Sequence, residues 1–176
     1  LYLYATPQKI YKLYNFLPHT HKEALLKLTT YTNYALRTLT CAALKSPGLC
    51  NITEVSQGFG ISRAHIVKCV HQLGAWGYLE NVRGRNGGFR LAKPASEITV
   101  GEIVRKTEDS LNLVECFDPE TNTCPLISVC KLSRLFKRAT ANFLAELDAV
   151  TLADVTTHPD ELIEILTARS LDAKGE

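Results

Sequence analysis

Apolar residues recur at helical spacing along most of the chain, and one short stretch breaks that period. In "LTTYTNYALRTLTCAALKSPG", Ala35, Leu39 and Ala43 stand at i, i+4 and i+8. This spacing predicts a first helix, with Thr30 or Thr32 as its cap and Pro47-Gly48 as its stop. "NITEVSQGFGISRAHIVKCVHQLGAWG" predicts a short helix, a Gly-Phe-Gly turn and a second helix. Ser62 suits the N-cap of that second helix, because its hydroxyl can accept from a first-turn amide. Ile66, Val70 and Leu73 form its buried stripe, flanked by Cys69. Two helices joined by a Gly-containing turn of this length make a helix-turn-helix, here from Ile52 to Ala75.

The period then changes. "YLENVRGRNGGFRLAK" predicts two short strands around a tip rich in Gly and Arg, with Asn86-Gly87-Gly88 supplying the positive φ angles of a hairpin turn. A helix-turn-helix followed at once by a basic hairpin is a winged helix, and Pro94 closes it. "EITVGEIVRKTED" predicts a further short helix with Ile98, Ile103 and Val104 inward. Farther on, Leu132, Phe136, Ala139, Phe143, Leu147 and Val150 step by 4, 3, 4, 4 and 3. They form one stripe about five turns long. No other segment outside the winged helix is suited to cover it fully, so it is expected to pack against its copy in a second chain, with an ordinary core helix as the plainer alternative. Residues 156–176 predict a short amphipathic helix carrying Leu162, Ile165 and Leu166, then a polar tail.

The expected fold is therefore mainly α with a small β-hairpin. A winged helix-turn-helix domain spans 26–95, a short helix and loop 96–131, a dimerisation helix 132–155 and a tail 156–176. The chain contains no Met, and residues 1–25 are set outside the domain as upstream sequence or an alternative start.

With 45% apolar and 22% charged residues, the composition is that of a soluble globular protein long enough to bury a core. No apolar run approaches the ~18 residues of a membrane span. "LYLYATPQKIYKLYNFL" is too interrupted by polar residues for a signal peptide. These features point to the cytoplasm and no membrane partner. Thiols stay reduced there, and cysteine clusters mean metal or redox chemistry more often than disulfides.

Charge sharpens the picture. The net +2 conceals nine Lys/Arg against two acids over 26–94, and eight against fifteen over 95–176. The first half suits a polyanion. Ser62, Arg63, His65 and Lys68 lie toward the N-terminus of the second helix, where such groups reach base edges and phosphates. Arg83 and Arg85 stand among glycines at the wing tip, a placement suited to the minor groove. Plainer readings exist singly: basic surfaces aid solubility, Arg90 can pair with an acid, His65 can be merely solvated, and His71 partly buried. As a set on one face these residues point to double-stranded DNA. RNA would call for an interleaved aromatic platform, which is missing.

"ECFDPETNTCPLISVCKL" holds Cys116, Cys124 and Cys130, three of the six cysteines, with seven and then five residues between them. Structural zinc prefers four ligands in close pairs. Thiol redox sensing needs two sulfurs and leaves one over. A buried-core role fits poorly with Asp118, Pro119, Glu120, Thr121 and Asn122 around it. Iron–sulfur ligation stands beside these, since long gaps let a loop wrap a cluster; spacing alone does not decide. Cys41, Cys50 and Cys69 sit at unrelated spacings and are expected to be buried structural residues. No Cys–His or Ser–His–Asp constellation is placed for enzyme chemistry, so a thiol enzyme and a zinc-stabilised adaptor are the alternatives of another class.

"LTTYTNYALRTL", "ISRAHIVKCVHQLGAWGYLENVRGRNGGFRLAKP", "VECFDPETNTCPLISVCKL" and "FLAELDAVTLADV" together resemble the nitric-oxide-sensing repressors among the winged-helix iron–sulfur regulators. The resemblance covers residues 26 to about 156. It implies a homodimer with one iron–sulfur cluster per subunit, 4Fe-4S ahead of 2Fe-2S, that binds an inverted-repeat operator until nitric oxide releases it. Cys116, Cys124 and Cys130 match the cluster cysteines. In relatives a first-helix Asp donated by the partner subunit completes the set. Asn33 stands at that position here, so the fourth ligand is open among Asn33 from the partner subunit, water, a small thiol, Glu115 and Asp118. Ser133 replaces the His of the branch that senses cluster assembly. Asn33 and "VRKTEDSLNLVECF" also resemble the iron-responsive repressors of iron-uptake genes, the runner-up.

Overall fold

A computed structural model describes residues 27–172, so the segment 1–25 and the end of the tail lie outside the described residues. Helix α1 (Thr30–Leu44) is capped by Thr29, whose hydroxyl accepts from the Thr32 amide at 3.2 Å. The cap falls one residue before the expected Thr30 because Thr32 is turned inward. There its hydroxyl donates to Thr107 Oγ1 at 2.8 Å and meets Glu108.

Helix α2 (Ile52–Phe59) begins with a reciprocal cap: Asn51 Oδ1 accepts from the Glu54 amide and Glu54 Oε2 from the Asn51 amide, each at 3.0 Å. Such boxes satisfy two otherwise orphaned donors. The helix runs through Gly58 and Phe59, so the turn narrows to Gly60, whose φ of 64° favours glycine. Ser62 caps α3 (Arg63–Ala75), accepting from the His65 amide at 3.4 Å. Ile66, Cys69, Val70 and Leu73 are buried, as their spacing required.

Strands β1 (Leu79–Val82) and β2 (Gly88–Leu91) pair antiparallel, with Glu80 opposite Arg90 and Asn81 opposite Phe89. The positive φ at the tip belongs to Gly84, at 118°, rather than to Asn86, Gly87 or Gly88. Gly87 and Gly88 serve by size. A β-carbon on either would strike a carbonyl, that of Val82 or of Cys50. Phe89 is buried and exchanges two backbone bonds with Cys50, at 2.9 and 2.8 Å, which tie the wing to the entry of α2.

Helix α4 (Val100–Thr107) is capped by Thr99 and packs Ile103 and Val104 inward beside Ile98. A loop with one 3-10 turn (Glu115–Phe117) leads to α5 (Lys131–Asp148), α6 (Leu152–Val155) and α7 (Pro159–Asp172). The single helix expected over 132–155 is thus divided. The Val150 carbonyl accepts from the Val100 amide at 2.9 Å, and the Leu152 amide donates to the Ile98 carbonyl at 2.9 Å. That pairing stops α5 and returns Leu152 to the core. Helix α7 is longer than expected and lays Leu166 against Gly58 of α2.

Leu39, Ile66, Leu73, Phe89, Ile98, Ile103 and Leu152 centre the core between α1, α3, the wing and α6. Burying each such side chain contributes about 1.5–3 kcal/mol. Helix α5 takes almost no part: of its 18 residues only Ser133 is buried. It is fastened at its end, where Arg105 donates to both carboxylate oxygens of Asp148 at 2.5 and 2.6 Å. Among the described residues no helix is long and apolar enough to cross a membrane.

Candidate nucleic-acid interface and cysteine loop

The basic segment sorts itself by partner. Lys45 bonds Glu54 at 2.5 Å, Arg90 bonds Glu80 across the hairpin at 2.9 Å, and Lys93 approaches Glu102 at 3.5 Å. Arg37 lies over the Phe59 ring, 5.6 Å from its centroid. The Arg90–Glu80 pair holds the Glu80 carboxyl below its usual range. Lys68, Arg83 and Arg85 are exposed, with no hydrogen-bonding or ionic partner among the described residues. Cations without a protein partner are the ones available to phosphate.

Arg63 projects from the first turn of α3 and donates to Thr53 Oγ1 at 2.5 Å. Together with Arg83 and Arg85 it lines one concavity of about 770 Å³ between α2 and the wing. Thr53, Gln57 and Asn81 share that wall and were missed by sequence reasoning, which had no way to see the wing fold back on α2. His65 is exposed but oriented: its Nδ1 lies 2.8 Å from Ser62 Oγ, and its ring is 5.4 Å from Tyr34. His71 is exposed rather than partly buried, one helical turn beyond Val67, which is 46% exposed. Val67 was also missed, although its place off the Ile66 stripe was a signal. An apolar side chain there suits a thymine methyl group.

The three loop cysteines are all unbridged. Cys116 and Cys130 are half-buried and Cys124 is exposed. Among the described residues no three His, Cys, Asp or Glu side chains are gathered at metal-holding distance, so the thiols stand apart. The donor set nonetheless fits an iron–sulfur centre: three thiols and no imidazole between the ends of α4 and α5. Cys130 is the N-cap of α5, its Sγ accepting from the Ser133 amide at 3.4 Å. The first turn of a helix favours negative charge at that place.

Local bonds shape the rest of the loop. Glu115 Oε1 accepts from Thr123 Oγ1 at 3.0 Å, and Asp118 Oδ1 accepts from the Glu120 amide at 2.9 Å. Both carboxylates are thereby engaged within the loop. Asn33 Nδ2 donates to the Thr29 carbonyl at 3.0 Å. Leu126 and Val129, 61% and 69% exposed, flank the last two cysteines.

The stripe on α5 is uncovered at its start. Leu132 is 63% exposed, and Phe136 stands out beside Leu135, a position sequence reasoning left out. Ala139 and Phe143 border a cavity of about 370 Å³ with Leu28, Leu111 and Leu113. Leu147 and Val150 are half-buried near the anchored end.

Against known proteins, the family model "Rrf2: Iron-dependent Transcriptional regulator" matches residues 28–158. The chain is 42% identical over 142 residues to the HTH-type transcriptional regulator NsrR of Bacillus subtilis (strain 168), covering 80% of this chain and 97% of that protein. It is 46% identical over 145 residues to the NsrR of Geobacillus kaustophilus (strain HTA426), covering 82% and 99%. Its fold is similar to that of CymR, the global cysteine regulator of B. subtilis, with a TM-score of 0.63 at 23% identity over 76% of this chain and 98% of that one. T. potens IscR matches with a TM-score of 0.60 at 23% identity, covering 74% and 86%.

Proposed function

The chain belongs to the Rrf2 family and is a DNA-binding transcriptional regulator rather than an enzyme; from that premise we propose that it is a repressor whose operator binding depends on an iron–sulfur cluster held by Cys116, Cys124 and Cys130. In this reading a cytoplasmic homodimer joined along α5 binds an inverted-repeat operator, and nitric oxide is the signal that releases it. The observation that carries the reading is the double role of Cys130. One residue both ends the thiol loop and caps α5, the helix that leaves its apolar stripe uncovered.

When bound, the cluster supplies an iron centre that reacts with nitric oxide. The protein's own residues do the rest. Cys116, Cys124 and Cys130 tie three points of one loop together, and a loop so tied fixes the first turn of α5 through the Ser133 amide. The start of α5 sets how two copies cross. That crossing in turn sets the spacing of the two α3 helices, which must lie about 34 Å apart to meet successive major grooves. Within each half, Ser62 and His65 orient the head of α3, Lys68 meets phosphate, and Arg83 and Arg85 enter the neighbouring groove from the wing. Asn33 of the partner subunit would offer a neutral amide oxygen as one candidate for the fourth ligand, beside water, a small thiol, Glu115 and Asp118.

A second reading takes iron itself as the signal: the matched family is one of iron-dependent regulators, and Asn33 resembles the residue of the iron-responsive repressors. Titrating the cluster-loaded protein with nitric oxide, and separately with an iron chelator, while following operator release separates the two. The test of the whole proposal is metal analysis of anaerobically purified protein. Iron with acid-labile sulfide is expected, together with loss of tight operator binding once both are stripped. Zinc in place of iron, or unchanged affinity after stripping, would overturn it.

A further inference from the structure

Cys41 and Cys50 were expected to be ordinary buried residues, and burial is where they lie. The fold adds something that spacing could not: their sulfurs are 2.8 Å apart. Closing that gap to a sulfur–sulfur bond asks for roughly 0.8 Å of movement. Cys41 is on the inner face of α1. Cys50 stands immediately before the Asn51 cap of α2 and carries the backbone pairing with Phe89 of the wing.

The two thiols differ in access. A cavity of about 250 Å³ under α7, walled by Leu44, Gln57, Ile163 and Leu166, reaches Cys41 but is not lined by Cys50. The Lys45–Glu54 ion pair borders the same cavity. They also differ in acidity. The Cys41 thiol is held below its ordinary value by its hydrogen bond with Cys50, with burial and Glu54 opposing and Lys45 assisting. The Cys50 thiol is driven up by the hydrogen bond it shares with Cys41 and by burial. Cys69 is an internal control. It is equally buried and its thiol is pushed up to about 11, chiefly by burial.

We infer that Cys41 and Cys50 form an oxidisable dithiol site, separate from the loop cysteines, that takes small hydroperoxides through the cavity under α7. The Cys41 thiolate attacks the terminal oxygen of the hydroperoxide. The O–O bond breaks, and the departing oxygen leaves as an alcohol, or as water from hydrogen peroxide, carrying the proton Cys41 gave up. Cys41 is then a sulfenic acid. The Cys50 sulfur attacks the Cys41 sulfur, the S–O bond breaks, and the hydroxyl leaves as water with the Cys50 proton. Two thiols have lost two electrons to one hydroperoxide, and a disulfide staples α1 to the junction of α2 and the wing.

The test treats the full chain with hydrogen peroxide, alkylates the remaining thiols and digests with trypsin, which cuts after Lys45 between the two cysteines. The expected product is a pair of peptides joined through Cys41 and Cys50 and released by dithiothreitol, with Cys69 recovered in alkylated form. The Cys50→Ser variant should hold Cys41 as a sulfenic acid that dimedone labels, while Cys41→Ser should leave Cys50 unmodified. The same bridge is expected when Cys116, Cys124 and Cys130 are all changed to Ser, so the outcome is independent of any iron–sulfur cluster. Recovery of Cys41 and Cys50 as thiols under peroxide that oxidises the loop cysteines would overturn the inference. So would oxidation no faster than that of Cys69, or a bridge from either residue to the loop.

Discussion

The winged-helix body and the arm formed by the cysteine loop and α5 are built on opposite principles. In the body the apolar stripes of α1 and α3 meet the wing, and Lys45, Arg90 and Lys93 are paired with acids within the chain. In the arm, α5 buries one residue of 18 and the loop is shaped mainly by bonds between near neighbours. A region with little buried surface costs little to rearrange, whereas a packed core is held by all of its members. The contrast assigns rigidity to the winged-helix body and adjustability to the part that carries Cys116, Cys124 and Cys130.

Four variants test that contrast, beginning with the largest effect. Cys116→Ala should remove the iron–sulfur absorption and weaken operator binding by up to about 10⁴-fold, roughly 5.5 kcal/mol, the scale of a full two-state reversal. Its thermal midpoint as apo-protein should match that of the parent apo-protein. Unaltered operator affinity in a gel-shift titration would remove the switch. Phe89→Ala should do the reverse, lowering stability by about 3–5 kcal/mol in urea unfolding, because it empties the site where the wing meets Cys50. A drop of under about 1 kcal/mol would mean that the wing is not part of the core.

Phe136→Glu, on the uncovered stretch of α5, should cost about 2 kcal/mol or more of self-association, as at the centre of an interface, with little change in monomer unfolding. Sedimentation equilibrium reads this directly, and an unshifted dimer constant would exclude that face. The smallest effect belongs to the wing. Changing Arg83 and Arg85 to Ala should weaken operator binding about tenfold per half-site and lower the salt slope by roughly 0.9 for each phosphate no longer neutralised. An unchanged slope would take the wing tip off the DNA.

Much of the body was legible because its determinants are local. Ser62 caps α3 through an amide three residues away, and Ile66, Val70 and Leu73 fall on one face by the geometry of the helix. Where the local signal was ambiguous, tertiary packing chose. Thr29 rather than Thr30 or Thr32 caps α1 because Thr32 is taken up by Thr107 and Glu108. The stripe from Leu132 to Val150 implied one helix, yet backbone pairing with Val100 and Ile98 divides it. At the wing tip the turn chemistry was misassigned. Gly84 supplies the positive φ, while Gly87 and Gly88 are required by carbonyls, one of them 38 residues away at Cys50.

The candidate site divides in the same way. The basic residues and the three loop cysteines are visible as residue types at given spacings, which is enough to name the chemistry they suit. Which cations remain unpaired is a property of space: Arg90 is spent on Glu80 across the hairpin, while Arg83 and Arg85 join Arg63 around one concavity. The meeting of Cys41 and Cys50 is of that kind as well.

By itself the sequence determined the helical and strand periods, the charge asymmetry and the thiol inventory, because each depends on neighbours within a few turns of chain. Only the tertiary structure decided where the long stripe is interrupted, which glycines are needed for space and which two sulfurs touch. Those outcomes depend on how segments far apart in sequence come together, and no local pattern encodes them.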